Sequence, residues 1–185
     1  MAAHSRTLVT GFGPFGEIRE NPSSYLAENC GRRYELLEVS YSGVTQFLEG
    51  LDPDLFDRLL LLGVSAKAHR MQLELVARNV VCDTPDIWGQ KPDGGVVRPD
   101  EAPVLASTLW EGALLTAEGL GDLSELSGDA GGYLCNFSFY EALCRFPDKQ
   151  VGFLHVPSAD TMPLEIQLEE LTRLLAVLEG GSNVR

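Results

Sequence analysis

Arg58-Leu59-Leu60-Leu61-Leu62-Gly63 is an uninterrupted apolar run closed by a glycine. A strand with one wet face alternates apolar and polar residues. A run without alternation suits a strand buried on both faces, as in a parallel sheet covered by helices. The flanking segments repeat a strand-then-helix order. Thr7 to Thr10 reads as a strand. Asn21-Pro22 starts a helix, with asparagine as N-cap and proline where its missing N–H costs nothing. Tyr34 to Val39 reads as a strand and Val44 to Leu51 as a helix. Gln72 to Val81 favours a strand. Asp83 to Pro99, rich in Gly, Pro and Asp, reads as a long loop, which in a compact domain is usually functional. Ala106 to Leu109 and Leu123 to Leu126 read as short strands around a helix over Trp110 to Glu118. Val151 to Val156 is a strand. Pro163 to Leu178 is an amphipathic helix, with Leu164, Leu168, Leu171, Leu174, Leu175 and Leu178 on one side. This alternation predicts a single three-layer α/β/α domain, residues 1–185, with a mostly parallel central sheet. Sites on such sheets lie beyond the carboxyl ends of the strands.

The composition excludes several classes. A formal net charge of −13 disfavours nucleic acid or an anionic membrane surface as partner. Met1 to Arg6 holds no apolar core of signal-peptide length, and no uncharged apolar stretch approaches the ~20 residues that span a bilayer. A cytoplasmic protein with reduced thiols is expected. Cys30, Cys82, Cys135 and Cys144 form no C-x-x-C pair, which argues against zinc and thioredoxin-like chemistry.

The chemistry concentrates in Gly131-Gly132-Tyr133-Leu134-Cys135-Asn136-Phe137-Ser138-Phe139-Tyr140. Two glycines break the preceding segment, and Tyr133, Phe137 and Tyr140 recur at helical spacing, so a helix begins near Cys135. At a helix start, unpaired N–H groups and the helix dipole favour negative charge. The thiolate is the nucleophilic form of cysteine. A buried structural cysteine is the plain alternative. Of the three histidines, His4 lies at the terminus and His69 in a polar loop, whereas His155 ends an apolar strand just before Pro157. Glu74 interrupts the apolar Leu73-Glu74-Leu75-Val76, and a carboxylate buried there needs a partner. Asp160 is the rival acid. Thiolate, imidazole and an orienting acid are the parts of a cysteine peptidase.

Gly11-Phe12-Gly13-Pro14-Phe15-Gly16 formally matches G-x-G-x-x-G after a strand, with Glu38 as the distant acid. Two phenylalanines and a proline stand where backbone would have to approach a pyrophosphate, and the helix starts only at Pro22. A nucleotide-dependent oxidoreductase is therefore the weaker reading. The phenylalanines suit a small flat ligand better.

Together these motifs resemble pyroglutamyl peptidase type I, or pyrrolidone-carboxylate peptidase, over most of the chain. Thr10 to Gly16 followed by Asn21-Pro22-Ser23, Gln72-Leu73-Glu74 leading to Asn79, Gly132 to Asn136 with Tyr140, and His155-Val156-Pro157 carry the likeness. The resemblance implies a cysteine peptidase acting on peptides with N-terminal pyroglutamate, without metal or cofactor, and a homo-oligomer. It implies Cys135 as nucleophile, His155 as general base and acid, and Glu74 as orienter of His155. Phe12, Phe15 and Leu134 would bind the ring. Three features depart from the family, one being a shorter loop downstream of Asp86. The segment before Gly63 is shorter, and Cys82-Asp83-Thr84-Pro85-Asp86 lacks the arginine many bacterial members carry there. A catalytically weakened or non-catalytic binding protein of the same fold is the alternative reading.

Overall fold

The computed structural model describes residues 6–14 and 21–180. Eight strands and five α-helices follow in chain order. They are β1 (Thr7–Phe12), α1 (Pro22–Asn29), β2 (Arg33–Leu37), α2 (Tyr41–Gly50), β3 (Arg58–Val64), β4 (Met71–Glu74), β5 (Val76–Arg78), β6 (Val104–Ala106), α3 (Ala117–Leu120), β7 (Ser124–Ser127), α4 (Leu134–Arg145), β8 (Gln150–Val156) and α5 (Leu164–Leu178).

Six strands form one sheet in the order β2-β1-β3-β8-β4-β7. The first four are mutually parallel. β4 runs antiparallel to β8, and β7 runs parallel to β4. The apolar run in β3 sits between β1 and β8 and is covered on both faces. Leu59 and Leu61 join a core with α2 and α4, including Val44, Phe137 and Tyr140. Leu60 and Leu62 join a core with α1 and α5, including Leu26, Leu171 and Leu174. The fold is the three-layer α/β/α sandwich expected.

Local chemistry sets the boundaries. The Asn21 side chain accepts the Ser23 N–H at 3.0 Å and caps α1. The Ser40 hydroxyl accepts the Gly43 N–H at 2.9 Å, so α2 starts before Val44. Two expected elements divide. Gln72 to Val81 splits after Glu74, and β5 leaves the main sheet to pair with β6. The buried Asn136 side chain holds that excursion, bonding the N–H and carbonyl of Arg78 and the carbonyl of Val80. The expected helix over Trp110 to Glu118 is instead a 3-10 turn (Gly112–Leu115) followed by α3. Gly112 at φ 59° breaks it, a conformation cheap only for glycine.

Candidate active site

Crossing the sheet from β3 to β4 at the carboxyl end of β8 passes Cys135, His155 and Glu74 in turn. α4 begins at Leu134 with no side-chain cap from Tyr133. The N–H groups of Leu134, Cys135 and Asn136 therefore donate to no described residue, and the first intrahelical bond is Phe137 N–H to the Tyr133 carbonyl at 2.9 Å. Cys135 thus stands at an open helix N-terminus.

The thiol overlies β3 at Gly63. A Cβ on Gly63 would lie 2.6 Å from Cys135 Sγ and 2.7 Å from Phe153 Cζ. Only glycine leaves this space. Gly63→Ala is expected to slow alkylation of Cys135 at least tenfold and to lower Tm by about 2–10 °C, the usual range for an overpacked core in a domain of this size. Thiol labelling and thermal melts check both.

His155 is opposite Gly63 in the β3–β8 register, and its ring packs 4.8 Å from that of Phe153. On β4, Gln72 pairs with His155 and Glu74 with Phe153, so Glu74 shares the face on which the imidazole lies. Glu74 Oε1 is 2.7 Å from His155 Nδ1. The carboxylate is wholly buried, and its Oε2 has no hydrogen-bond partner among the described residues. The imidazole is the only hydrogen-bond partner of the carboxylate among the described residues. Burial by itself would push the His155 pKa down. The Cys135 charge and hydrogen bond, with those of Glu74, outweigh burial and raise it from 6.5 to about 10. The histidine therefore lies between a thiol and a carboxylate. Asp160, the rival acid, is exposed on the loop after β8 and makes no bond to His155.

On the other side of Cys135, toward β1 and β2, lies a cavity of about 190 Å³. Phe12, Val39, Val64, Tyr133 and Leu134 wall it, with Asn21, Ala66 and Cys135 itself. No charged side chain lines it among the described residues. Phe12 and Leu134, named above for the ring, both line this cavity. Phe15 falls outside the described residues. Asn21 serves twice. Its Oδ1 accepts from Ser23, its Nδ2 donates to the Gly13 carbonyl at 3.2 Å, and Ser23 Oγ accepts the Phe12 N–H. The turn after β1 is thereby tied to the start of α1. A Cβ on Gly11 would sit 2.2 Å from the Ser23 carbonyl oxygen. The glycine is needed for strand–helix packing.

Sequence reasoning missed Val39, Val64, Ala66 and Gly63, and read Tyr133 only as part of the cysteine motif. Only Gly63 left a signal, as the glycine closing a buried apolar strand. It also missed Asp86, which fastens the long loop to the site. The Asp86 carboxylate accepts the N–H groups of Tyr41, Trp88 and Gln90. Tyr133 OH then donates to the Pro85 carbonyl at 3.1 Å.

The sequence profile of the pyroglutamyl peptidase family matches residues 5–169. A pyrrolidone-carboxylate peptidase of Lactobacillus acidophilus is 30% identical over 169 residues, spanning 82% of this chain and 83% of that one. One from Deinococcus radiodurans is 30% identical, spanning 92% and 90%. The crystal structure of pyrrolidone carboxyl peptidase from Thermus thermophilus superposes with a TM-score of 0.79 at 30% identity, covering 91% of this chain and 98% of that one.

Proposed function

Because this chain belongs to the pyroglutamyl peptidase family, we propose that it is a cysteine exopeptidase removing N-terminal pyroglutamyl residues from peptides. The observation that carries this reading is the cavity opening onto Cys135, whose described lining residues carry no charge. A pyroglutamyl group is a small lactam without an α-ammonium. Apolar walls can take it in at modest desolvation cost, whereas an ordinary N-terminus would have to bury an unpaired charge.

The chemistry follows the order of groups across the sheet. The Cys135 thiolate adds to the pyroglutamyl carbonyl carbon. The developing oxyanion is stabilised by uncommitted N–H groups at the start of α4, where the helix dipole also favours negative charge. His155, carrying a proton, gives it to the leaving peptide nitrogen as the C–N bond breaks, leaving a thioester on Cys135. The neutral imidazole then takes a proton from water, which attacks the thioester. Free pyroglutamate departs and the thiolate is restored. Glu74 holds Nδ1 and thereby aims Nε2 at this chemistry, as in other triads. A thiol nucleophile fits a reducing compartment, consistent with a cytoplasmic location.

The test is release of a fluorophore from pyroglutamyl, glutaminyl and prolyl amides. The pyroglutamyl amide should be cleaved at least ~10³-fold better in kcat/KM than the glutaminyl amide, whose ammonium the cavity cannot pair. The prolyl amide keeps the ring but carries a protonatable nitrogen, and should also be poor. Equal rates on pyroglutamyl and glutaminyl amides would reject the assignment of the cavity. No cleavage of any amide, with ring ligands still bound, would favour a non-catalytic binder.

A further inference from the structure

The loop joining β3 to β4, Ser65-Ala66-Lys67-Ala68-His69-Arg70, is basic in a chain whose net charge is −13. β3 and β4 are not neighbours. β8 lies between them, so this loop must cross the carboxyl end of β8, where His155 sits. The Ser65 N–H donates to the Val156 carbonyl at 3.0 Å, and Ala66 lines the cavity. The loop therefore runs from the cavity rim across the end of the histidine strand. Ala68 is buried and pins it, while Lys67, His69 and Arg70 are exposed. None of these three side chains forms an ion pair or hydrogen bond with a described residue, although the exposed Asp122, next to the Leu123 carbonyl that accepts the Met71 N–H, and Asp160 lie on adjoining loops.

We infer that Lys67 and Arg70, with His69 between them, determine which leaving peptides are preferred, selecting an acidic side chain directly after the pyroglutamyl residue. This rests on the reaction proposed above. In that reaction the ring occupies the cavity on the β1 and β2 side of Cys135. The leaving nitrogen lies on the His155 side, because that imidazole must protonate it. The leaving chain thus departs on the side the basic loop crosses. Elsewhere the net charge of the protein repels acidic peptides, so a local group of uncommitted cations changes the sign of the field where the leaving chain emerges. The groups are exposed and flexible, so the preference is moderate and falls with salt.

The experiment compares kcat/KM for two peptides that differ only in the second residue, pyroglutamyl-Asp-Ala-amide and pyroglutamyl-Lys-Ala-amide, on wild type and on Lys67→Gln/Arg70→Gln. The expected wild-type ratio is about tenfold in favour of Asp at low salt, shrinking several-fold in 0.5 M salt, where the screening length is only a few ångströms. In the double variant the ratio should drop toward one. A wild-type ratio near one, or a preference for Asp that the double variant keeps, overturns the inference. Failure to cleave either peptide overturns instead the reaction on which it rests, so the two failures are distinguishable.

Discussion

Cys135→Ser should lose turnover of a pyroglutamyl amide by at least ~10³-fold, the scale on which removal of a nucleophile acts in triad enzymes. The folded structure should survive, because serine is smaller than cysteine and its hydroxyl stands at a helix N-terminus, where hydroxyls are well tolerated. The loss arises because an alcohol yields too little anion at neutral pH to replace a thiolate. Cys144→Ser provides the contrast. Cys144 lies in the last turn of α4, and burial raises its thiol pKa, so its removal should leave kcat/KM within about twofold, as expected away from the reacting groups. Loss of turnover in the Cys144 variant, with turnover kept in the Cys135 variant, would move the nucleophile to the other end of the helix. Circular dichroism and thermal melts separate either result from misfolding.

Glu74→Gln should lower kcat by about 10²–10⁴-fold and leave KM nearly unchanged, since the carboxylate touches the imidazole and not the ring cavity. It should also move the pH profile. In the proposed reaction His155 must carry a proton to release the leaving amine. With its pKa raised to about 10, the proton is held at neutral pH and lost as pH rises through that value. The wild-type kcat/KM should therefore hold through mildly alkaline pH and fall near pH 10. Glu74 contributes to the upward shift by charge and hydrogen bond, so the glutamine variant loses part of it. Its alkaline limb should lie at lower pH than in wild type. A residue with a merely structural role would change Tm without moving that limb. Asp160→Asn, at an exposed position, should change neither quantity by more than about twofold. A larger effect at Asp160 than at Glu74 would reassign the third member.

Most of the architecture is legible in the chain because each signal is local. The Asn21-Pro22 pair announces α1. The unbroken apolar run of β3 announces burial on both faces. The paired glycines before Tyr133 announce the start of α4. Glu74 is legible for a different reason: a lone acid inside an apolar strand must be paired, and His155 was available to pair it. What the sequence does not carry is relative placement. Nothing in Met71–Glu74 tells that β4 runs against β8, yet that reversal sets Glu74 on the face of His155. Likewise, the division between β4 and β5 depends on Asn136, some sixty residues further on, taking over the backbone of Arg78. The cavity walls from Val39, Val64 and Ala66 are ordinary small or branched residues. They become a site only when β1, β3 and α4 converge. The kink at Gly112 is the one departure a closer reading could have found, since a glycine inside a weak helical pattern is already a break signal.

The proposed reaction requires that Cys135 be the one thiol that performs the chemistry, at the mouth of the ring cavity. Limiting iodoacetamide at neutral pH, followed by peptide mapping of all four cysteines and parallel assay of pyroglutamyl amide cleavage, tests this most directly. Cys135 should take the label first, activity should fall in proportion to its labelling, and 2-pyrrolidone should slow both together by filling the cavity. Activity that survives full alkylation of Cys135, or that falls in proportion to labelling of Cys82 instead, would contradict the claim.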